Sequence, residues 1–162
     1  YETMYNAHGV GLAAPQVGLA LRLFVIDTTP FSDDEELEDA EQNELKVFKK
    51  TFINAKMIKE EGEEWSFNEG CLSIPDVRED VYRNPTITIE YCEEDFVMKT
   101  EVFEGLIARV IQHEYDHIEG ILFTDLISSL KKQLIKKKLA NIMEGKTRPD
   151  YKMKFAAPKK GR

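Results

Sequence analysis

Hydrophobic positions fall into short strand-like runs over the first two thirds of the chain. Residues 1–7 have the pattern of the last turns of a helix, and residues 21–27, rich in branched and aromatic side chains, predict a strand. A second strand is expected over residues 51–60. Residues 85–91 alternate threonine with isoleucine, and residues 96–103 follow after a short acidic turn, so these two segments predict a hairpin.

The last third changes to helical spacing. Apolar residues recur every three or four positions between 106 and 118, and Gly120 is suited to a helix C-terminus. Residues 127–143 predict a second helix, with lysines outside and an apolar side made of Leu130, Leu134, Leu139 and Ile142. Strands first and helices later indicate an α+β fold, in which antiparallel strands surround a central helix and a C-terminal helix follows.

Composition describes one ordinary globular domain over residues 1–162. No apolar run approaches the roughly 20 residues of a membrane-spanning helix, so we expect no membrane partner. Two cysteines are too few for a disulfide framework and favour a reducing compartment. Because the first residue is Tyr1, we expect the sequence to begin partway along a longer native chain.

Charge is polarised along the sequence. Eight acidic residues and no basic one lie between Asp33 and Glu44, which equals the formal net charge of −8, so residues 30–50 predict a solvated acidic loop. From Lys131 to Arg162, twelve lysines and arginines stand against two acidic residues, a net of +10. The part of this stretch after the second helix, residues 145–162, is a basic tail, and such a tail can be an interaction arm.

The central helix carries the pattern HExxH at His113-Glu114-Tyr115-Asp116-His117. Residues four apart share a helix face, so both imidazoles can reach one ion while Glu114 reaches a water beside it. Two histidines paired by chance with nearby acids are the structural alternative. Only three histidines occur in the chain, and we expect the third, His8, to lie on the surface.

A catalytic site of this kind needs a third protein ligand and one open position for water. No histidine follows His117, and the acids downstream are poor candidates. Cys71, which follows a glycine in a turn between expected strands, is the best candidate upstream. One thiolate with two imidazoles suits zinc or ferrous iron. Burial as a small hydrophobe is the alternative for Cys71, and it is the interpretation we adopt for Cys92.

Three segments resemble the signature motifs of the peptide deformylases, in that family's order. They are GVGLAAPQ at residues 9–16, EGCLS at residues 69–73 and QHEYDH at residues 112–117. The resemblance covers most of the chain and implies removal of the formyl group from the formyl-methionine that begins new bacterial or organellar proteins. It departs from the family in two places: the family's first strand and most of its first helix precede Tyr1, and the acidic loop is long.

The resemblance also assigns roles to individual residues. It implies Cys71, His113 and His117 as metal ligands, with Glu114 as the acid/base. It implies ferrous iron as the physiological metal, replaceable by nickel, cobalt or zinc. It further implies that the Gln16 side chain and the Leu72 N–H stabilise the oxyanion of the tetrahedral intermediate, and donors of this kind typically contribute about 3 kcal/mol each.

Substrate contacts are expected around the same motifs. The family binds peptide as an added strand along the glycine-rich stretch, where Gly9 and Gly11 leave room for a backbone. Leu106 and Val110 share the helix face of the histidines and are candidates for the methionine pocket, although core packing is equally compatible; the charge of Arg109 should stay at the rim. The candidate substrate contacts are Val10, Gly11, Gly70, Leu106, Arg109 and Val110.

Two other classes of function remain open from the sequence. One is a zincin-type endopeptidase, disfavoured because no third ligand follows the helix; the other is a non-catalytic metal-binding domain, for which Glu114 would be superfluous. We expect a monomer in the bacterial cytoplasm, with an organelle left open and with no specific DNA partner. The basic C-terminal helix and tail suggest docking on the ribosome, and a solvated helix face is the alternative.

Overall fold

The computed structural model describes residues 1–155 of the chain. Its helices are α1 Glu2–Asn6, α2 Asp39–Val47, α3 Gly105–Glu119, α4 Phe123–Leu126 and α5 Ser129–Met143. Its strands are β1 Gly11–Ala13, β2 Leu23–Asp27, β3 Lys49–Glu61, β4 Trp65–Cys71, β5 Ile74–Arg83, β6 Thr86–Cys92 and β7 Met98–Glu104. Single 3₁₀ turns span Ala14–Val17 and Thr29–Phe31.

Two antiparallel sheets surround the central helix, so the α+β prediction is confirmed. Five strands form one sheet in the order β1-β2-β3-β6-β7, and β4 pairs with β5 in a second sheet. The predicted hairpin is β6–β7, in register from Thr86 opposite Glu104 to Cys92 opposite Met98. Within residues 1–155 no helix is long and apolar enough to cross a membrane.

The main core lies between the five-stranded sheet and α3. Phe24 of β2 and Phe52 of β3 are fully buried and stack with ring centroids 4.7 Å apart. Ile107 and Ile111 of α3 pack into the same cluster. Because α3 is buried on most of its surface, it holds the HExxH residues in a fixed orientation beside the small sheet.

Both ends of α3 are set by glycines in the left-handed region. Gly105 has φ 58° directly after β7, and Gly120 has φ 77° at the C-terminus. The N–H groups of Gly120 and Ile121 donate to the carbonyls of His117 and Asp116, which is the Schellman pattern. The predicted stop at Gly120 is therefore confirmed, and the last turn of the helix contains a metal-site candidate.

The prediction of a solvated loop over residues 30–50 is wrong for its second half. Residues Asp39–Val47 form helix α2, and Leu45 is 1% exposed in the main core. Asp39 and Glu41 lie in the first turn, where the helix dipole favours negative charge. The many acidic residues of this segment suggested a loop, but Leu45 is buried and holds the helix against the core.

The apolar side predicted for α5 is also partly wrong. Leu130 and Leu134 are 72% and 75% exposed. The helix packs through Ile135, Leu139 and Ile142 against a second, smaller cluster that includes Cys71. Because α5 packs on the two-stranded sheet and not in the main core, only a narrow row of its apolar residues is buried. Of the predicted tail, residues 145–155 form neither helix nor strand, and residues 156–162 lie outside the described residues.

Candidate active site

Three potential metal ligands from two separated segments meet where the small sheet faces α3. Cys71 ends β4, while His113 and His117 lie on α3, and their ligand atoms all lie within 4.8 Å of one another. Cys71 Sγ is 3.2 Å from His117 Nε2, and the two imidazole centroids are 5.1 Å apart. The structure thus brings together the three residues that the sequence singled out as ligands.

The turn between β4 and β5 positions the thiol. The pairing register shifts by a bulge between Gly70 and Cys71, and Cys71 then pairs with Ile74. The N–H of Ser73 donates to Cys71 Sγ at 3.4 Å. A Cβ on Gly70 would lie 2.9 Å from Arg78 Nη1, the end of a flexible exposed side chain that can move aside.

Behind the histidines, Glu69 is a buried carboxylate that orients the site. One oxygen lies 3.0 Å from His113 Nδ1, and Arg83 and Arg109 donate to the carboxylate at 2.8 and 3.1 Å. Arg83 also donates to Asp116 at 2.7 Å. A carboxylate on Nδ1 leaves Nε2 of His113 to face the ligand cluster, which is the usual support of a metal-binding histidine.

The surroundings of the two imidazoles shift their pKa values in opposite directions. Burial opposes the charge of His113, but its hydrogen bonds to Cys71 and Glu69 outweigh burial and raise its pKa to about 10. Burial, together with the charges of His113 and Arg83, lowers the pKa of His117 to about 3. Burial alone would raise the pKa of Glu69, yet hydrogen bonds from His113 and Arg83 lower it to about 2.

Glu114 is buried beside the ligand cluster. The residue is 4% exposed, and its Oε2 atom has no hydrogen-bond partner among the described residues. Burial raises the pKa of this carboxyl to about 7. Buried carboxylate oxygens are usually hydrogen-bonded, so this oxygen could accept from a water or a substrate group in the cleft.

The glycine-rich stretch packs directly on Glu114. A Cβ built on Gly11 would lie 2.7 Å from Glu114 Cγ, and one on Gly9 would lie 2.6 Å from Leu72 Cδ1. The sequence predicted that these glycines make room for substrate. Both glycines line the cleft, and their immediate neighbours are side chains of the other two motifs, so the glycines also let the three motifs pack together.

The side chain of Gln16 has a fixed orientation. Its Oε1 accepts from the N–H of Ala13 at 2.7 Å, which leaves Nε2 to donate. Nε2 lies 3.1 Å from Ser73 Oγ and 3.6 Å from Cys71 Sγ. The amide donor therefore points at the edge of the ligand cluster.

A cleft of about 670 Å³ opens over the cluster. Its lining includes the candidate residues Val10, Gly11, Gly70, Leu72, Arg109 and Val110. Leu106 is not part of that lining and packs in the main core, so core packing describes it. Arg109, expected at the rim, is 2% exposed and stacks on Trp65 with its guanidinium carbon 4.4 Å from the ring centroid. Its ion pair with Glu69 makes that burial possible.

The polar residues that support the site could not be predicted from the sequence. Glu69, Arg83 and Asp116 come from β4, β5 and α3, and only the fold brings them together. One signal was available, because Glu69 stands two residues before Cys71 and therefore shares its face of the strand. Cys92, predicted as core, is buried, and His8, predicted on the surface, is exposed.

The donor set fits one transition-metal ion. A thiolate and two imidazoles favour zinc or ferrous iron over magnesium or calcium, and three protein ligands leave a coordination position for substrate or solvent. An HExxH motif on a buried helix, with a cysteine from another segment, a buried carboxylate and an open cleft, is typical of a metal-dependent hydrolase.

Comparison with known proteins identifies the family. The model of the polypeptide deformylases matches residues 1–133, so the chain belongs to that family. A peptide deformylase from Flavobacterium johnsoniae is 83% identical over this whole chain and 83% of its own length. One from Salinibacter ruber is 44% identical over 93% of this chain and 75% of its own.

Solved structures of the family share the fold. A peptide deformylase from Legionella pneumophila superposes with a TM-score of 0.71 at 35% identity, covering 90% of this chain and 77% of the other. One from Synechococcus elongatus, in complex with actinonin, gives a TM-score of 0.68 at 38% identity, covering 84% of this chain and 68% of the other. Bacterial relatives therefore have this arrangement of sheets around the central helix.

Proposed function

We propose that Cys71, His113 and His117 hold one divalent metal ion, beside which Glu114 serves as the acid/base of peptide deformylation. The chain is a peptide deformylase by family, an enzyme that removes the N-terminal formyl group from nascent polypeptides. One observation carries the residue roles. The three ligand atoms lie within 4.8 Å of one another, next to a buried carboxylate with an unpartnered oxygen.

The bound ion would supply Lewis acidity, which lowers the pKa of water and polarises the formyl carbonyl. Glu114 would take a proton from the attacking water and return it to the nitrogen of the leaving amine. Its burial makes the carboxylate a stronger base than one in solvent, and one residue can serve both steps because the proton moves only between neighbouring atoms.

Two donors are proposed for the oxyanion that forms on the formyl oxygen. Gln16 Nε2 supports this role because Ala13 fixes the amide orientation. The N–H of Leu72 is the second, in the turn that also carries Cys71. Donors that are oriented before the reaction need no reorganisation as charge develops, which is the physical source of their effect.

We propose that the substrate peptide lies along Val10, Gly11 and Gly70, all of which line the cleft, with Val110 contacting the methionine side chain. Arg109 and Leu106 act from below this surface, since the first is buried in an ion pair and the second in the core. An extended substrate next to β1 would gain main-chain hydrogen bonds without requiring a particular sequence.

The metal proposed for the cell is Fe²⁺, with Zn²⁺, Ni²⁺ or Co²⁺ possible after purification. Affinity alone favours zinc, so availability in the cell decides which ion is bound. Metal analysis of protein purified without oxygen, with deformylation assayed in parallel on the same sample, tests this. Activity that follows zinc content and not iron content would contradict it.

Replacement of Glu114 tests the catalytic assignment. Glu114→Gln and Glu114→Ala should reduce turnover of formyl-methionyl peptides by at least about a hundredfold while one metal ion per chain remains bound. Wild-type protein should leave an internal peptide bond intact, which separates this activity from that of an endopeptidase. Unchanged turnover in either variant would contradict the assignment.

We also propose a monomer that acts in the bacterial cytoplasm and docks on the ribosome through the basic side of α5. Bacterial relatives and the lysines of α5 support this proposal. Lys136 and Lys137 are exposed, whereas Lys131 pairs with Glu79. Lys136→Glu with Lys137→Glu should weaken co-sedimentation with ribosomes, and the effect should decline with salt. Unaltered co-sedimentation would exclude this surface.

A further inference from the structure

The chain returns to the active site after α5, in a segment beyond the residues that match the family model. Residues 147–155 alternate between half-buried and exposed positions, with the apolar members Pro149, Tyr151, Met153 and Phe155 turned toward the protein. Arg148 and Tyr151 line the cleft. An alternating pattern of this kind is that of an extended segment lying on a surface.

A Schellman motif directs this return. The N–H of Lys146 donates to the carbonyl of Asn141 at 2.8 Å, and the N–H of Gly145 donates to that of Ile142 at 3.0 Å. Gly145 has φ 69°, and a Cβ there would lie 3.2 Å from Cγ of Phe155. The two ends of the segment 145–155 are therefore in contact, and we call this segment the return loop.

Tyr151 contacts the turn that carries the proposed ligand Cys71. Its hydroxyl donates to the carbonyl of Leu72 at 2.8 Å. The same peptide plane contains the N–H of Ser73, which donates to Cys71 Sγ at 3.4 Å. In a planar trans peptide these two groups point in opposite directions, so fixing one fixes the other. A hydrogen bond to the carbonyl also polarises the N–H.

We propose that Tyr151 is a positioning residue, presented by the return loop, that holds the Leu72–Ser73 peptide against the Cys71 sulfur. This inference rests on the proposed function of the same site. Tyr151 reaches neither the ligand cluster nor the proposed substrate path by its own hydrogen bond, because its hydroxyl is bonded to a main-chain carbonyl. It would act by keeping the Ser73 N–H, and through it the sulfur, in fixed positions.

Tyr151→Phe tests the proposal, with Tyr82→Phe as control because Tyr82 is 63% exposed and lies outside the cleft lining. Loss of one hydrogen bond at a positioning residue should lower kcat about three- to tenfold and leave KM within about twofold. Amide hydrogen exchange of residues 71–74 in the zinc-loaded protein should become several times faster. Tyr82→Phe should change neither quantity.

Gly145→Ala provides a second route to the same contact. An alanine at φ 69° is strained and would displace Phe155, so the return loop should loosen. Exchange at residues 71–74 should rise, and the double variant should be no worse than Tyr151→Phe alone. Additive losses of kcat would overturn the role of the loop, and unaltered exchange in Tyr151→Phe would overturn the proposal. Hydrogen exchange is measured without any deformylation assay, so its result tests the role of Tyr151 even if the proposed function is wrong.

Discussion

At the scale of single residues, Gly11 packs against the side chain of Glu114. The glycine leaves the space that the Glu114 side chain fills, and the carboxylate is thereby kept away from solvent. The absence of a side chain at Gly11 lets Glu114 stay buried, and burial raises the pKa of its carboxyl to about 7.

Gly11→Ala should disturb catalysis more than stability. The added methyl group would lie 2.7 Å from Glu114 Cγ and would displace that side chain, so we expect kcat to fall by about tenfold or more. Gly18→Ala is the control: φ 81° strains the backbone, but nothing lies within 4 Å of the new Cβ. It should lower the melting temperature with kcat retained. Equal losses of kcat would contradict this account.

Glu69→Gln should weaken metal binding. The change removes the charge that orients His113 and compensates Arg83 and Arg109, and loss of such support typically costs about 10- to 100-fold in affinity. Glu79→Gln is a matched control, since Glu79 lies opposite Glu69 in the strand pair but is bonded to Lys131. Competition with a chromogenic chelator measures both affinities. Identical values would contradict the role of Glu69.

Site residues that are close together in the sequence could be predicted, whereas contacts between distant residues could not. His113, Glu114 and His117 are set by helical spacing alone, and Cys71 followed from the need for a third ligand. The contacts of Glu69 could not be predicted, because they join residues separated by 14, 40 and 44 positions. The rim position expected for Arg109 was wrong because an isolated charge was assumed, whereas the fold supplies a carboxylate partner.

At the scale of secondary structure, helix α2 shows how one apolar residue anchors a highly charged segment. Leu45 is fully buried against the core while Val47 is 80% exposed. The Thr28 hydroxyl also donates to the Leu45 carbonyl at 2.7 Å, so the end of the helix is fixed from both backbone and side chain.

Leu45→Ala should therefore destabilise the protein by about 2–5 kcal/mol, the usual range for a truncated core leucine. Val47→Ala removes an apolar side chain two residues away that is exposed to solvent, and it should be nearly neutral. Urea unfolding of both variants measures the difference. Equal midpoints would mean that α2 is not held through Leu45.

Secondary-structure elements with a clear pattern in their own sequence were predicted, whereas the others depend on hydrogen bonding to a neighbouring strand. The β6–β7 hairpin and α3 were evident from alternation, helical spacing and a terminal glycine. Strands were expected on both sides of Cys71, but the bounds of β4 and β5 could not be given, since polar and charged residues interrupt their buried positions and their extent depends on mutual pairing. In α5 the local pattern predicted too much burial: Leu130 and Leu134 follow the helical spacing but stay exposed, because the small sheet covers only part of the helix.

At the scale of the whole molecule, the three proposed metal ligands come from both the small sheet and the central helix. Cys71 belongs to the cluster that supports α5, whereas the histidines belong to the helix that packs in the main core. An ion bound to all three would connect the two packing units. Its binding energy would then contribute to the stability of the folded chain.

Removing the metal should lower the melting temperature. An ion present at about a thousand times its dissociation constant stabilises the native state by about 4 kcal/mol. A chelator should remove that contribution from the wild type and leave His117→Ala unaffected. Calorimetry with and without chelator makes the comparison, and a chelator effect of equal size in both proteins would show that the stabilising ion binds elsewhere.

The central claim is that one sulfur and two imidazole nitrogens bind the same ion. X-ray absorption at the zinc edge of zinc-loaded protein measures this directly. We expect one sulfur at about 2.3 Å and two nitrogens at about 2.0–2.1 Å, with the sulfur contribution lost in Cys71→Ser. A zinc environment without sulfur in the wild-type protein would contradict the claim.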